Sequence, residues 1–271
     1  MTGMTSFLNE ADRAWAERGT HDYFLLYAAA LLVLVSSGLM ALGGHHTGFH
    51  GWQSAANLML SPWLWANVTF VGDTLTALAI ALVVAIRFPK VALVTLLAAL
   101  LGGVAIQVVK YALALPRPPA VLAPGEFTLI GPGIKSRSFP SGHTATAYLM
   151  MGVFTRAVSL PATKVLLLAL ALLIGISRVA VGVHWPVDVM VGGAIGCIGA
   201  FLALRWGDRM RQPVWALTLI MLLMVVAALQ LLVYDGGFEA TAVTAPVLGV
   251  SSLLLAGFLA FRRWRNWSAT R

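Results

Sequence analysis

Eight apolar windows organise this sequence, at residues 23–42, 63–86, 91–113, 143–158, 165–183, 187–204, 214–234 and 243–261. A helix needs about 20 predominantly apolar residues to cross the hydrocarbon core of a bilayer. The composition agrees with that reading: 59% of the residues are hydrophobic and only 10% are charged, where a soluble domain carries charge on roughly a quarter of its positions. The expected fold is therefore all-α, a polytopic membrane helical bundle.

Residues 1–22 mix Glu10, Asp12, Arg13, Glu17, Arg18 and Asp22. They lack the basic-then-apolar order of a cleavable signal, so the first span is expected to be retained. Phe7, Leu8, Ala11, Ala14 and Trp15 recur at helical spacing, which suits either a segment lying along the membrane surface or an ordinary solvated terminus. Cys197 is the only cysteine and falls inside a span, which excludes an intrachain disulfide. No nucleic-acid-binding module is visible. Met150, Met151, Met221 and Met224 read as packing or lipid-facing positions.

The distribution of the basic residues explains the net charge of +8. With a cytoplasmic N-terminus and alternating crossings, thirteen of the eighteen Lys and Arg fall inside, from Arg13 and Arg18 through Arg87, Lys90, Arg156 and Lys164 to the tail cations Arg262, Arg263, Arg265 and Arg271. This is the positive-inside pattern, with both termini cytoplasmic. Trp52, Trp63, Trp65 and Trp185 are expected to mark the outer interface, and Trp15, Trp206, Trp215, Trp264 and Trp267 the inner one. Lys110, Arg117, Lys135, Arg137 and Arg178 fall outside against the rule. An anion is expected there.

These exceptions lie where helices meet the outer face. Lys110 ends the third span and Arg117-Pro118 follows it; Pro140-Ser141-Gly142-His143 opens the fourth; Ser177-Arg178 closes the fifth, and His184-Trp185-Pro186-Val187-Asp188 opens the sixth. Parity of the crossings puts all of them on one side of the membrane. Phosphate recognition needs positive charge and several N–H donors. Lys110, Arg117 and Arg178 supply the charge. Pro140, read as a first-turn proline, would leave the Ser141, Gly142 and His143 amides free at a positive helix terminus. Asp188, four residues after His184, would hold the imidazole in the tautomer that leaves its other nitrogen free to attack. His143 is then placed to protonate the leaving oxygen and afterwards to activate water.

The three blocks resemble the type 2 phosphatidic acid phosphatase (PAP2) superfamily pattern without a substitution: Lys110 with Arg117-Pro118, then Pro140 to His143, then Ser177-Arg178 with His184 and Asp188. The resemblance covers roughly residues 60–205. It implies a phosphohistidine on His184 with Asp188 as its partner, His143 as general acid and base, and Lys110, Arg117, Ser141, Gly142 and Arg178 as phosphate ligands. It implies no metal or other cofactor. It further implies a six-span core over 23–205 with its site at the outer, periplasmic-type face of a bacterial inner membrane. Residues 206–271 would then add two spans and a basic tail, and 1–22 a cytoplasmic segment. The expected partner is a lipid phosphate, with undecaprenyl diphosphate and phosphatidylglycerol phosphate the substrates most readily suggested. Lipid A dephosphorylation, or phosphotransfer to lipid A from a polyprenyl diphosphate, would use the same phosphohistidine, and a non-catalytic lipid-binding or scrambling protein is the reading of another class. Oligomeric state is not legible.

Outside the pattern, Asp73 sits inside the second span, where an unpaired carboxylate is costly, and is expected to face the bundle interior near the pocket. Lys135, Arg137 and Ser177 are further possible substrate contacts; for Lys135 and Arg137 the competing reading is solvated loop charge, and for Ser177 a hydrogen bond within its own helix. His45, His46 and His50 cluster in the first outer loop. A plain polar loop is the preferred reading over a metal site.

Overall fold

The computed structural model describes residues 12, 13, 15, 17, 18 and 22–269. Its regular elements are helical, with no strand among the described residues. The helices are α1 (Phe24–Gly43), α2 (Phe49–Met59), α3 (Pro62–Val71), α4 (Thr74–Arg87), α5 (Lys90–Leu113), α6 (Gly142–Ala157), α7 (Pro161–Ala180), α8 (Pro186–Arg209), α9 (Val214–Gln230) and α10 (Thr244–Ala269), with a single helical turn at Pro118–Val121. The protein is a multi-pass membrane protein. Among the described residues, five helices are long and apolar enough to cross a bilayer, or six when α3 and α4 count as one bent span.

The eight expected windows therefore meet a smaller set of helices that qualify by length and apolarity alone. At 16 and 17 residues, α6 and α9 are short. In α6, Thr144, Thr155 and Arg156 are buried beside Tyr148 and Phe154. A helix enclosed by protein needs no lipid-facing surface. The second window is not one straight helix either. It breaks by 59° between α3 and α4, where Gly72 ends one helix and Asp73 caps the next, its Oδ1 accepting from the Leu75 amide at 2.8 Å. Helix α2 lies in what read as a simple outer loop.

The centre of the bundle is α8, which packs on α1, α5 and α6. The backbones approach closely because small residues face the contact. A Cβ on Gly192 would meet the Ser141 carbonyl oxygen at 2.4 Å, and one on Gly196 the Ala145 carbonyl at 2.4 Å. Leu34, Val104, Leu166 and Leu254 face outward on the bundle surface. Helices α9 and α10 pack chiefly on α4 and on each other, to one side of that centre.

At the end of the bundle holding the α6 C-terminus, Arg156 is buried between Asp22 and Asp208, with its Nη1 donating to Asp208 at 2.5 Å. Lys90 donates to Asp12 at 3.2 Å and to the Met210 carbonyl at 2.7 Å. These two cations, counted among the inside charges of the sequence, each form an ion pair that ties the bundle end together. Trp15 is buried beside Phe88, under the Arg156 guanidinium; Phe7, Leu8, Ala11 and Ala14, the rest of the expected surface-lying stripe, fall outside the described residues. Trp65 and Trp185, expected at the outer interface, are fully buried. Each uses its indole N–H within the protein, Trp65 on the Ala56 carbonyl and Trp185 on that of Pro116.

Candidate active site

The C-terminal ends of α5 and α7, the N-terminal ends of α6 and α8, and the 114–141 loop meet at the opposite end of the bundle. Pro186 starts α8 with its fixed φ and no orphaned N–H. Asp188, in the first turn, reaches back to accept from the Trp185 amide at 2.9 Å. The same Oδ2 accepts from His184 Nδ1 at 3.0 Å and from the Ser138 hydroxyl at 2.5 Å. A carboxylate can only accept, so Nδ1 carries the proton and Nε2 presents its lone pair. That nitrogen faces Arg117, whose Nη1 lies 3.3 Å away.

His184 and Asp188 are both buried. Burial, with the Arg117 guanidinium adding to it, holds the His184 imidazole well below its ordinary value, against the opposing pull of Asp188. That lowering favours the neutral ring. Arg117 is itself fixed by donating to the carbonyls of Ser136 at 3.0 Å and Val183 at 3.1 Å. Lys110 donates to the Arg137 carbonyl at 2.7 Å and the Ser138 carbonyl at 3.3 Å. The 135–138 loop is thereby pinned between the two cations and supplies Ser138 to Asp188.

Arg178 is 4% exposed. Its Nη1 donates to Thr69 Oγ1 at 2.5 Å, while Nε is buried without a hydrogen-bond partner among the described residues. A buried guanidinium N–H left open costs free energy unless an acceptor arrives. His143, in the first turn of α6, has its side chain 32% exposed and its Nε2 4.0 Å from Asp73 Oδ2. The phenol of Tyr234, from the segment after α9, donates to that Asp73 oxygen at 3.3 Å. Burial and the Asp73 charge raise the Tyr234 phenol above its ordinary value, so it remains a donor.

Some expectations need correction. Pro140 is not a first-turn proline, since Ser141 caps α6 and the helix begins at Gly142. The Ser141 amide is not free: it donates to the Asp188 carbonyl at 3.0 Å. The amides of Gly142 and His143 remain at the helix terminus, and the Ser141 hydroxyl receives the Thr144 hydroxyl at 2.9 Å. Ser177 is fully buried and donates to the Ile174 carbonyl at 2.6 Å, a hydrogen bond within its own helix. Lys135 and Arg137 are exposed, and the Arg137 guanidinium lies over the Tyr111 ring at 4.6 Å.

The histidine cluster is not a plain polar loop. His45 Nε2 lies 2.7 Å from Asp188 Oδ1, and the His46 ring stacks on Trp185 with centroids 3.8 Å apart. No group of three metal-ligating side chains is assembled among the described residues. Ser138 and Thr69, which hold Asp188 and Arg178, had no signal in the sequence beyond being short hydroxyl residues. His45 had one, its place in a loop on the same outer side as the site.

A cavity of 250 Å³ opens beside His143 and Gly142 and runs between α4, α5 and α6, past Ala77, Gly102, Ile106 and Leu149. It joins the polar end of the bundle to its apolar middle.

Comparison with known proteins matches the sequence profile of the PAP2 superfamily to residues 90–212. A decaprenylphosphoryl-5-phosphoribose phosphatase of Mycobacterium tuberculosis is 45% identical over 78 residues, 27% of this chain and 40% of that protein. An undecaprenyl-diphosphatase of Sulfolobus acidocaldarius is 33% identical over 124 residues, 44% of this chain and 56% of that one. The matched stretches thus span about half or less of these curated relatives' lengths. Among solved structures, Aquifex aeolicus LpxE is 32% identical, with a TM-score of 0.50 over 56% of this chain and 92% of that one.

Proposed function

Since the chain belongs to the PAP2 superfamily, we propose that it is a metal-independent phosphatase that hydrolyses a lipid phosphate or diphosphate through a phosphohistidine on His184. The observation that carries this reading is the orientation of His184: Nδ1 is held by Asp188 at 3.0 Å, and Nε2 faces a guanidinium. A neutral imidazole so fixed is a nucleophile aimed at the place where Arg117, Lys110 and Arg178 would hold a phosphoryl group.

Nε2 attacks phosphorus, the Nε2–P bond forms, and the bond from phosphorus to the leaving oxygen breaks while His143 gives that oxygen a proton. His143 then takes a proton from water; the resulting hydroxide attacks phosphorus, the N–P bond breaks, and inorganic phosphate leaves. Cationic donors around the transferring group stabilise charge on its equatorial oxygens as it develops. The open Nε of Arg178 and the Gly142 and His143 amides are such donors. These fixed cations supply the positive charge that other phosphatases draw from metal ions, which is the reason for assigning no metal to the reaction.

The 250 Å³ cavity descending from His143 between α4, α5 and α6 supports a lipid substrate, because a head group at the site leaves its chain against apolar helix surface. The names of the mycobacterial and Sulfolobus relatives favour a polyprenyl phosphate or diphosphate. We assign the site to the outer, periplasmic-type face of a bacterial inner membrane, with both termini cytoplasmic. The distribution of cations across the loops supports that orientation.

The test is phosphate release by the purified protein in detergent from undecaprenyl diphosphate, phosphatidylglycerol phosphate, phosphatidic acid and lipid A, with and without EDTA, beside His184→Ala. Release that survives EDTA and vanishes in the variant is expected. Release restored only by a divalent cation contradicts the metal-free mechanism, and release only when an acceptor lipid is supplied identifies a phosphotransferase.

A further inference from the structure

The Asp188 carboxylate is fully buried, and its two oxygens are held by different parts of the chain. Oδ2 receives His184, Ser138 and the Trp185 amide. Oδ1 receives His45, at 2.7 Å. His45 lies in the turn between α1 and α2, well before the residues matched to the family profile. Gly44 and Gly48 flank it with φ of 82° and 79°, a left-handed geometry that lets the chain double back over the α8 N-terminus.

The His45 ring is held on three sides. It meets Phe139 edge-on with centroids 5.8 Å apart, Trp185 at 6.2 Å and His46 at 5.5 Å, and His46 is in turn stacked on Trp185. Because Asp188 accepts, the hydrogen of the His45 ring sits on Nε2. The carboxylate is thereby clamped against rotation from the side opposite His184.

We propose that His45 is a positioning residue for the reaction: by donating to Asp188 Oδ1 it fixes the carboxylate rotamer that holds Oδ2 against His184 Nδ1. The inference rests on the reading of His184 as the nucleophile. Without His45, one oxygen of a buried carboxylate loses its donor and the group turns to recover one, so the imidazole is aimed less often. Such a residue acts on turnover and leaves the affinity for a lipid head group nearly unchanged.

The experiment compares wild type, His45→Phe, His45→Gln and His184→Ala for kcat, KM and thermal unfolding in detergent, with undecaprenyl diphosphate as probe. His45→Phe keeps a ring of similar size and removes the donor. Its kcat should fall about tenfold or more, with KM moving less than about twofold, because a hydrogen bond to a buried charged group is lost. Gln carries an N–H at nearly the reach of Nε2, and His45→Gln should recover most of that kcat. The inference is overturned if His45→Phe retains full kcat, or if Phe and Gln lose kcat and melting temperature equally, which would make the loop's shape the cause. Wild type that releases no phosphate from undecaprenyl diphosphate, phosphatidylglycerol phosphate, phosphatidic acid or lipid A, or His184→Ala that releases it as fast as wild type, overturns the functional reading and this inference together. Full activity in His45→Phe beside an inactive His184→Ala overturns this inference alone.

Discussion

Gly192 lies one turn into α8 from Asp188, against the residue that caps α6. A Cβ added there would stand 2.4 Å from the Ser141 carbonyl oxygen and 3.2 Å from the Ser141 carbonyl carbon and nitrogen, where ordinary contact begins at 3.4 Å. The obstacle is backbone, so no side-chain rotation relieves it. Gly192→Ala must push the α6 N-terminus and α8 apart by about 1 Å, which breaks the 3.0 Å bond from the Ser141 amide to the Asp188 carbonyl. His143 rides on α6 and Asp188 on α8, so the acid and the nucleophile pair separate by a similar distance. A misplacement of about 1 Å costs on the order of 10²-fold in rate, and overpacking of this kind costs about 1–3 kcal/mol in stability. The control is Gly199→Ala in the same helix, whose added Cβ would find its nearest atom at 3.6 Å and should leave both quantities near wild type. Phosphate release and thermal unfolding in detergent measure the pair. Wild-type activity and melting temperature in Gly192→Ala would refute the claim that close approach of α6 and α8 sets the site.

Asp188→Asn should preserve the fold but favour the wrong imidazole tautomer, lowering kcat by about 10²- to 10⁴-fold, since the corresponding change in a hydrolase triad falls in that range; pre-steady-state phosphate release reads it. The pH profile follows from His184: the neutral ring is the active form, and its lowered pKa keeps it neutral as pH falls through 6.5. The acid limb of kcat/KM should therefore lie below pH 6.5, and a limb at or above that value contradicts the buried, Arg117-facing imidazole. Asp73→Leu should reduce activity, with Tyr234→Phe giving a smaller loss in the same direction; full activity and stability in Asp73→Leu would remove Asp73 from the site's surroundings. At the other end of the bundle, Arg156→Ala leaves Asp22 without its buried partner and should cost about 3–5 kcal/mol of stability. Its folded fraction should retain wild-type kcat, as measured by activity normalised to folded protein.

Much of the fold was legible because helix length in a membrane is a one-dimensional signal. The first span was expected at 23–42 and lies at Phe24–Gly43; the third at 91–113 and lies at Lys90–Leu113. The break at Gly72-Asp73 was harder to see, since a capping aspartate inside an apolar run also reads as a buried functional charge. The His184–Asp188 contact was legible from spacing, because four residues on a helix start bring Asp188 back to His184. The long-range donors to Asp188 were not. His45 and Ser138 reach it from 143 and 50 residues away, and no local periodicity encodes such pairings. Trp185 misled for the same reason: an aromatic at a span end reads as an interface anchor until a loop folds over it.

The most direct test of the account is to look for the phosphoenzyme itself. Wild-type protein mixed with ³²P-labelled undecaprenyl diphosphate and quenched in alkali within one turnover should carry label that is stable to base, labile to acid, and mapped to the peptide containing His184. His184→Ala should carry none. Turnover in wild type with no trapped label under any quench, or label on another residue, would contradict nucleophilic attack by His184.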